Sequence, residues 1–334
     1  MMCSPSSRVA GSALMVSFYL IGFTSCSIAG ELRARFADSH INLHSHHVSS
    51  TLSNSSHRWY DSASAESLTP NDSAIHYGKL YALSGGMLGA IIGIHIYQQN
   101  GWWRDNRAPF HFREDLVYGL GVDKIGHFYG ASLLTFAISS AVRSANVSET
   151  HSLTIGAAGA LLFQTYIEVE DGFSEWGFDR VDFAADVAGA GWPLLQHAYP
   201  SLQNFQLKLS YVPSPLLDNP GGVGFKGQKH LIIDDYEGQT FWLSANVHAL
   251  LPSSLESYWP DFLWMAVGYG ARDIAIPHQD PYSVLYLSLD YDVTKLIPQR
   301  TGFLKFLSNT LNFIHLPAPA VRLSPSAVWY GLTF

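Results

Sequence analysis

The chain has 334 residues, of which 47% are hydrophobic and 14% are charged, a composition more typical of membrane-associated proteins than of soluble enzymes. Its formal charge is -8 and its Lys and Arg residues do not cluster, which excludes the basic surface that nucleic-acid binding requires. The two cysteines, Cys3 and Cys26, lie near the start, which excludes disulfides and cysteine-ligated metal sites from the rest of the chain.

The first 29 residues have the pattern of a secretory signal peptide. Arg8 precedes an apolar stretch from Ala13 to Phe23, and small residues follow it. Cleavage is therefore predicted after Ala29, with export to the cell envelope. A second cleavage point lies before Cys26, because the tetrapeptide that ends there is an imperfect lipoprotein box. Lipidation of Cys26 is the alternative prediction.

Residues 30–76 are rich in Ser, Asn and His and poor in aliphatic side chains. Such a segment buries too little apolar surface to offset the entropy that is lost on ordering, so it is predicted to be a disordered linker. Its histidines are either incidental polar residues or adventitious ligands for Zn or Cu.

Residues 77–200 are predicted to form a helical unit. Its first helix, from Tyr77 to Tyr97, is almost long enough to cross a hydrocarbon core of about 30 Å. Gly85, Gly89 and Gly93 lie four residues apart on this helix. They predict a ridge that another helix can approach closely.

Further helices are predicted in the same unit. A short amphipathic linking helix is expected from Phe110 to Asp115, and longer helices from Val122 to Arg143, from about Thr154 to Glu168 and from Arg180 to Tyr199. Acidic residues interrupt these segments, so none is a clean apolar span. We expect a compact, membrane-associated bundle of about four helices.

In residues 201–334 apolar residues alternate with period 2, which predicts β-strands. The alternating runs are Phe205 to Val212, Phe241 to Leu251, Phe262 to Ala271, Ser283 to Val293 and Val328 to Phe334. A helix is predicted from Phe303 to Ile314. The last run resembles the closing strand of outer-membrane β-proteins, but about six or seven strands are fewer than single-chain barrels have. A barrel and a sheet that covers the helices are both open alternatives. The predicted class is α+β, with the helical bundle followed by an antiparallel β-rich region.

Polar residues recur at helix spacing within the apolar helical unit. The motifs are Asp123-Lys124-x-x-His127-Phe128, Glu168-x-x-Asp171-Gly172-Phe173-Ser174 and Asp182-x-x-x-Asp186-x-x-Gly189. Together with Phe110-His111-Phe112 they resemble the bacterial domain-of-unknown-function family 2279, which consists of predicted periplasmic or outer-membrane lipoproteins. The Asp-Lys-x-x-His helix is more distantly similar to VanZ-like membrane proteins. The resemblance is strongest from about Trp102 to Pro200. It implies an envelope location and no established activity.

Each motif places its polar residues on one helix face, because they are three or four positions apart. An aligned bundle could bring these faces to a common centre. A divalent ion such as Mn, Fe, Zn or Mg would suit one imidazole with several carboxylates. The candidate metal ligands are His127, Glu168, Asp171, Asp182 and Asp186. For acid-base catalysis with His127 as the general base, the candidate catalytic residues are Asp123, Lys124, His127, Glu168 and Asp171.

A buried charge network is the main alternative to chemistry at this centre, and a polar ligand pocket is the third. In the network Lys124 pairs with one acid, Arg180 pairs with another, and Asp179 caps the helix that follows it. An ionised group at membrane depth costs about 2.5–3.5 kcal/mol, so the acids must be paired, protonated, metal-bound or in contact with water. The chain has no nucleophile elbow, His-Glu-x-x-His or phosphate-binding loop, so an enzyme is the less favoured prediction.

The sequence therefore predicts an exported, membrane-associated envelope protein of the outer membrane or periplasm, with a structural or accessory role. Its expected partners are membrane lipid and other envelope proteins, and not nucleic acid. The alternatives are a metal-dependent or acid-base hydrolase acting on an amphiphilic envelope substrate, and an outer-membrane transport accessory. The candidate cofactor is a divalent metal ion.

Overall fold

The computed structural model describes residues 74–100, 103–104, 106–214, 233–274 and 280–334. The predicted signal peptide at 1–29, with Cys26, and the predicted linker up to residue 73 lie outside these residues. In the described part, helices come first and a six-stranded antiparallel sheet follows. This order confirms the predicted α+β class.

Four long helices precede the sheet in the described residues. They are α1 (Tyr77–Asn100), α2 (Val122–Arg143), α3 (Glu149–Gly172) and α4 (Arg180–Ala198). α2 has the predicted bounds, whereas α3 extends beyond the predicted segment at both ends. The shorter helices of the second half are α5 (Val247–Leu250), α6 (Ser253–Glu256), α7 (Val293–Leu296) and α8 (Gly302–Leu311).

Helices α2, α3 and α4 pack against one another through small residues. Ala131, Ala160 and Ala190, one from each helix, form a buried cluster. A Cβ added at Gly156 of α3 would lie 2.6 Å from the carbonyl oxygen of Thr135, and one added at Gly189 of α4 would lie 2.1 Å from that of Phe128. Both glycines therefore let a neighbouring backbone come closer than any side chain would permit.

Replacing Gly189 with Ala is expected to lower the free energy of unfolding by about 1–3 kcal/mol, because the new methyl group meets α2 backbone, which cannot move alone. Gly191→Ala is the matched control, since a Cβ there meets nothing within 4 Å. That change should stabilise α4 by up to about 1 kcal/mol through helix propensity. Urea denaturation of both variants measures the difference, and equal effects would contradict the close packing.

α1 contacts this bundle mainly near its two ends. The backbone N-H of His76 donates to the carbonyl of Ala145 (2.9 Å), and the side chain of Gln99 donates to Glu170 (3.1 Å). A Cβ at any glycine of the predicted ridge, at positions 85, 89 and 93, would meet nothing within 4 Å. No helix of the described chain packs on this side of α1, so a close approach of another helix to the ridge stays a prediction. The closely packed helices are α2, α3 and α4, and the structure does not confirm the expected bundle of about four helices.

Two helical stretches are long and apolar enough to cross a membrane, judged by length and composition. They are Tyr77–Asn100 and Tyr118–Arg143. In Tyr77–Asn100 the most apolar stretch has no buried residue. In Tyr118–Arg143 the corresponding stretch is 39% buried. α2 consequently has the environment of a core helix, and α1 does not.

The predicted linking helix from Phe110 to Asp115 is wrong, because this segment is extended. Phe112 forms a parallel bridge with Phe178. The backbone N-H of Arg113 donates to the carbonyl of Phe178 (3.1 Å), and the N-H of Phe178 donates to the carbonyl of His111 (2.9 Å). These bonds to the loop between α3 and α4 take the place of helical ones.

The sheet is a meander in which each strand pairs with the next, in the order β1 to β6. Its strands are β1 (Phe205–Tyr211), β2 (Gln239–Ala245), β3 (Leu263–Arg272), β4 (Tyr282–Tyr291), β5 (Ala318–Ser324) and β6 (Val328–Thr333). The run predicted as a strand up to Leu251 is wrong beyond Ala245. There Asn246 accepts a hydrogen bond from the N-H of Ala249 (3.2 Å) and starts α5. β5 was not among the predicted runs.

One face of the sheet encloses polar and charged side chains together with an apolar cluster of Trp242, Ala266, Val284 and Tyr286, and the other face exposes apolar side chains. On β1 the polar residues Gln206, Lys208 and Ser210 are buried. On the opposite face, Leu243, Val267 and Leu287 lie in register across β2, β3 and β4. These three residues are exposed by 51%, 47% and 37%. We call this second side of β1 to β4 the apolar face.

α2 covers part of the apolar face. Val122, Tyr129 and Phe136 of α2 form a buried cluster with Phe241 of β2, Ala271 of β3 and Phe313. The outer edge of β1 is bonded to the segment after α8, since the N-H of Leu209 donates to Phe313 (2.9 Å) and the N-H of His315 donates back to Leu209 (3.0 Å). The sheet thus closes over one side of the helical bundle and leaves the rest of the apolar face open.

Candidate functional site

The three polar motifs meet at one end of the helical bundle. α2 and α4 begin at this end and α3 terminates there. We call the resulting cluster the acidic centre, and it consists of Asp123, Lys124 and His127 from α2, Glu168 and Asp171 from α3, and Asp179, Asp182 and Asp186 at the start of α4. Most of its carboxylates are buried. The predicted convergence of helix faces therefore occurs at this end.

Lys124 organises one half of the acidic centre. Its Nζ lies 3.0 Å from Asp123, 2.8 Å from Asp179 and 3.0 Å from Asp182. The sequence predicted one acid for this lysine, and it has three. Arg180 does not join the cluster as predicted, because its guanidinium is exposed and pairs with Glu114.

Asp179 is the N-cap of α4, as predicted. Its side chain accepts from the N-H of Val181 (2.7 Å), and its other oxygen accepts from the N-H of Asp115 (2.8 Å). Burial raises the pKa of this carboxyl, but these N-H groups and Lys124 outweigh burial and hold the pKa below its usual range. Asp179 is therefore the firmly ionised acid of this half.

His127 organises the other half. Its Nδ1 lies 3.1 Å from Oδ1 of Asp186 and 3.6 Å from Oε1 of Glu168, and its Nε2 lies 3.9 Å from Oδ2 of Asp182. Gln164 of α3 donates to the same oxygen of Asp186 (2.7 Å). Gln164 was not predicted, although it lies four residues before Glu168 and so shares its helix face.

Asp171 lies in the same region with a partner of its own. Its carboxylate accepts from the indole N-H of Trp103 (2.6 Å). The neighbouring Glu170 pairs with a residue outside the acidic centre, since its Oε2 lies 3.0 Å from Nη1 of Arg107. Nothing in the sequence links Trp103 to Asp171, because the contact depends on how the chain returns after α1.

Burial raises the pKa of several carboxyl groups in the acidic centre. It raises the pKa of Glu168 to about 8, that of Asp171 to about 7 and that of Asp182 to about 6. Burial would lower the pKa of His127, but the hydrogen bond with Asp186 and the nearby carboxylates raise it to about 9. Without a bound cation the folded centre therefore holds extra protons.

Some oxygens of the acidic centre are enclosed without a hydrogen-bond partner in the described chain. They are Oδ1 of Asp123, Oδ1 of Asp182 and Oδ2 of Asp186. Three residues, His127, Glu168 and Asp186, offer one ligand atom each, and these atoms all lie within 4.8 Å of one another. One imidazole with two carboxylates is a donor set that suits Zn²⁺, Mn²⁺ or Fe²⁺.

A second buried ion pair lies inside the sheet and was not predicted. Nζ of Lys208 lies 2.6 Å from Oδ2 of Asp290, and Nδ1 of His315 lies 3.2 Å from Oδ1 of Asp290. All three side chains are fully enclosed, and His315 stacks on Trp242 with ring centroids 3.9 Å apart. The alternation of polar and apolar residues in β1 is the available signal. Alternation fixes the period of a strand but does not say which face is buried.

No curated protein and no solved structure matches the chain. A family model, described as "Predicted periplasmic lipoprotein (DUF2279)", covers α2, α3 and α4. It therefore spans every residue of the acidic centre. The description supports the predicted envelope location and gives no activity. Over residues 111–198 the chain is thus similar to this family of predicted periplasmic lipoproteins.

Proposed function

We propose that the protein is a structural or accessory component of the bacterial outer membrane, with the apolar face of its sheet in contact with lipid. The observation that carries the proposal is that the sheet encloses an ion pair on one face and exposes apolar side chains on the other. Lys208 and Asp290 are fully buried, while Leu243 and Val267 on the other side are about half exposed. A sheet in water buries its apolar side, whereas an outer-membrane sheet turns its apolar side to lipid and its polar side inward.

The composition of the apolar face supports lipid over a protein partner. The side of β1 to β4 that includes Leu207, Leu243, Val267 and Leu287 carries no charged residue. Protein interfaces usually have a polar rim and satisfied hydrogen bonds around an apolar core. A face without charges that continues across four strands suits hydrocarbon better.

α1 supplies a second apolar surface. Leu88, Ile92 and Ile96 lie four residues apart on it and are all exposed. Trp329 and Phe334 are also exposed at the far edge of the sheet, where aromatic side chains suit the interface between lipid and water. These surfaces support lipid contact on more than one side of the protein.

Placing Lys at Leu243, Val267 and Leu287 together is expected to reduce binding to lipid vesicles at least tenfold. A Lys that faces lipid costs about 2–4 kcal/mol near the centre of a bilayer. The measurement is flotation of the purified full chain with vesicles of phosphatidylethanolamine and phosphatidylglycerol. Density fractionation of native membranes then distinguishes the outer membrane from the inner membrane.

The control carries Lys at Leu255 and Tyr258, which are exposed apolar residues of the β2–β3 connection and lie outside the apolar face. It should float like the unchanged protein. The proposal fails if the triple variant floats as well as the control. It also fails if the unchanged protein stays with the soluble fraction or if the apolar face is covered by a second copy, seen as a stable dimer in the absence of lipid.

A metal-dependent hydrolase acting on an amphiphilic envelope substrate is the second candidate function. It is favoured because the His127 side chain is 21% exposed while Glu168 and Asp186 are buried, so a ligand there could be reached by water. Turnover of a chromogenic ester or phosphodiester with added Zn²⁺ or Mn²⁺, lost in His127→Ala, would support it. Rates equal to the metal blank would exclude these substrate classes.

A further inference from the structure

Three helices each contribute one potential ligand to the same small space. His127 comes from α2, Glu168 from α3 and Asp186 from α4, and the ligand atoms are the nitrogen and oxygens that lie within 4.8 Å of one another. First-row divalent ions bind such donors at about 2.0–2.2 Å. The donors are thus close enough to share one ion after small side-chain movements.

The hydrogen bonds around these donors leave ligand atoms available. One oxygen of Glu168 accepts from the backbone N-H of Asp179 (3.2 Å), and the other faces His127. Oδ1 of Asp186 accepts from Gln164, whereas Oδ2 is enclosed and has no partner within the described residues. An enclosed carboxylate oxygen without a partner costs about 1–3 kcal/mol, and a bound cation would satisfy it.

Charge around the site also favours a cation. Near His127 and Lys124 lie five carboxylates, those of Asp123, Glu168, Asp179, Asp182 and Asp186. Lys124 pairs with Asp123, Asp179 and Asp182, and no ion pair in the described chain joins it to Glu168 or Asp186. Buried carboxylates that lack a paired cation are disfavoured unless they are protonated or bind a metal ion.

We propose that a first-row divalent cation, Zn²⁺ or Mn²⁺, binds between His127, Glu168 and Asp186 and ties α2, α3 and α4 together. Gln164 orients Asp186 from outside the ligand set, as hydrogen-bond donors behind metal ligands do. The bound ion adds a link to the small-residue packing of these helices and to the ion pair between Lys124 of α2 and Asp182 of α4. This inference does not depend on contact between the sheet and lipid.

The test uses the full chain, stripped with a chelator, dialysed, and then titrated with Zn²⁺ or Mn²⁺. Elemental analysis should find one tightly held ion per chain, and thermal unfolding should shift to a higher temperature when the ion is added. Asp186→Asn and His127→Ala should each weaken binding at least tenfold. The shift in unfolding temperature needs no variant, so it tests the proposal even if a variant fails to fold.

Glu170→Gln is the matched control, because Glu170 lies on the same helix as Glu168 but pairs with Arg107 outside the site. It should keep full affinity. The histidines between positions 40 and 57 can bind Zn²⁺ independently, so only the ion lost in Asp186→Asn is counted. No tight ion in the unchanged protein, or equal affinity in Asp186→Asn, would overturn the proposal, and so would an equal loss in Glu170→Gln.

Discussion

Replacing Lys124 with Met is expected to lower the free energy of unfolding by about 3–5 kcal/mol, as the removal of one partner from a buried ion pair does. The variant keeps an unbranched apolar stem but leaves Asp123, Asp179 and Asp182 without their shared cation. Some of the loss is relieved because burial already raises the pKa of Asp123 and Asp182. Urea denaturation at neutral pH, with a chelator present, measures the effect.

Arg180→Met is the control for this prediction. Arg180 lies at the start of the same helix, but its ion pair with Glu114 is exposed. Solvent screens such pairs, so the free energy of unfolding should stay nearly unchanged. If Lys124→Met and Arg180→Met behaved alike, Lys124 would not hold the acidic centre together.

Replacing Lys208 with Met should also cost about 3–5 kcal/mol of unfolding free energy. Lys208 and Asp290 are both fully buried, and Nζ also donates to the carbonyl of Tyr291 (2.7 Å). Burial would raise the pKa of Asp290, but Lys208 and His315 hold it at about 2. In the variant this carboxylate becomes a buried charge without its main partner.

Two further measurements distinguish this cause from a general loss of packing. Without Lys208 the folded state favours protonated Asp290, so the deficit in stability should be smaller at pH 4 than at pH 7. Adding Asp290→Leu to Lys208→Met should recover most of the loss. Lys295→Met, which removes a partner of the half-exposed Asp261, should cost less than about 1 kcal/mol. A double variant no more stable than Lys208→Met would contradict the ion-pair argument.

The helices were largely predictable because their signals are local. α2 begins and ends at the predicted residues, and Asp179 caps α4 as its position suggested. The predicted helix from Phe110 to Asp115 does not form because the backbone partners of this segment lie more than sixty residues away, near Phe178. An amphipathic pattern cannot distinguish a helix from a strand-like segment that pairs with a distant loop.

The convergence of the acidic centre was predictable from spacing, but its internal pairing was not. Three helix faces with residues three or four apart were enough to bring His127, Glu168 and Asp186 together. Which acids share Lys124 depends on the rotation and depth of each helix. The contacts of Trp103 with Asp171 and of Gln164 with Asp186 also depend on how the helices pack. Neither residue belongs to a sequence motif that predicts its contact.

The periodicity of the strands does not predict which face of the sheet is buried. Alternation in β1 and β2 predicts one polar and one apolar face. The usual expectation is that the apolar face is buried. The burial of Lys208 and Asp290 follows from their contacts with Asn312 and His315 of the segment after α8. That segment is remote in sequence from β1.

The bond between β1 and residues 313–315 also sets an order on folding. Every strand pair of the described sheet joins neighbours along the chain, so these contacts can form locally and quickly. Leu209 instead bonds to Phe313 and His315, and Lys208 bonds to Asn312, which is 104 residues later in the chain. These contacts form only after the later segment is in place. Before residues 312–315 bind to β1, Lys208 lacks the hydrogen bond to Asn312 and the outer edge of β1 is free to pair with another chain. A chain that stops before Asn312 leaves this edge of β1 unpaired, and because it also lacks β5 it leaves the edge of β4 unpaired, so we expect it to aggregate.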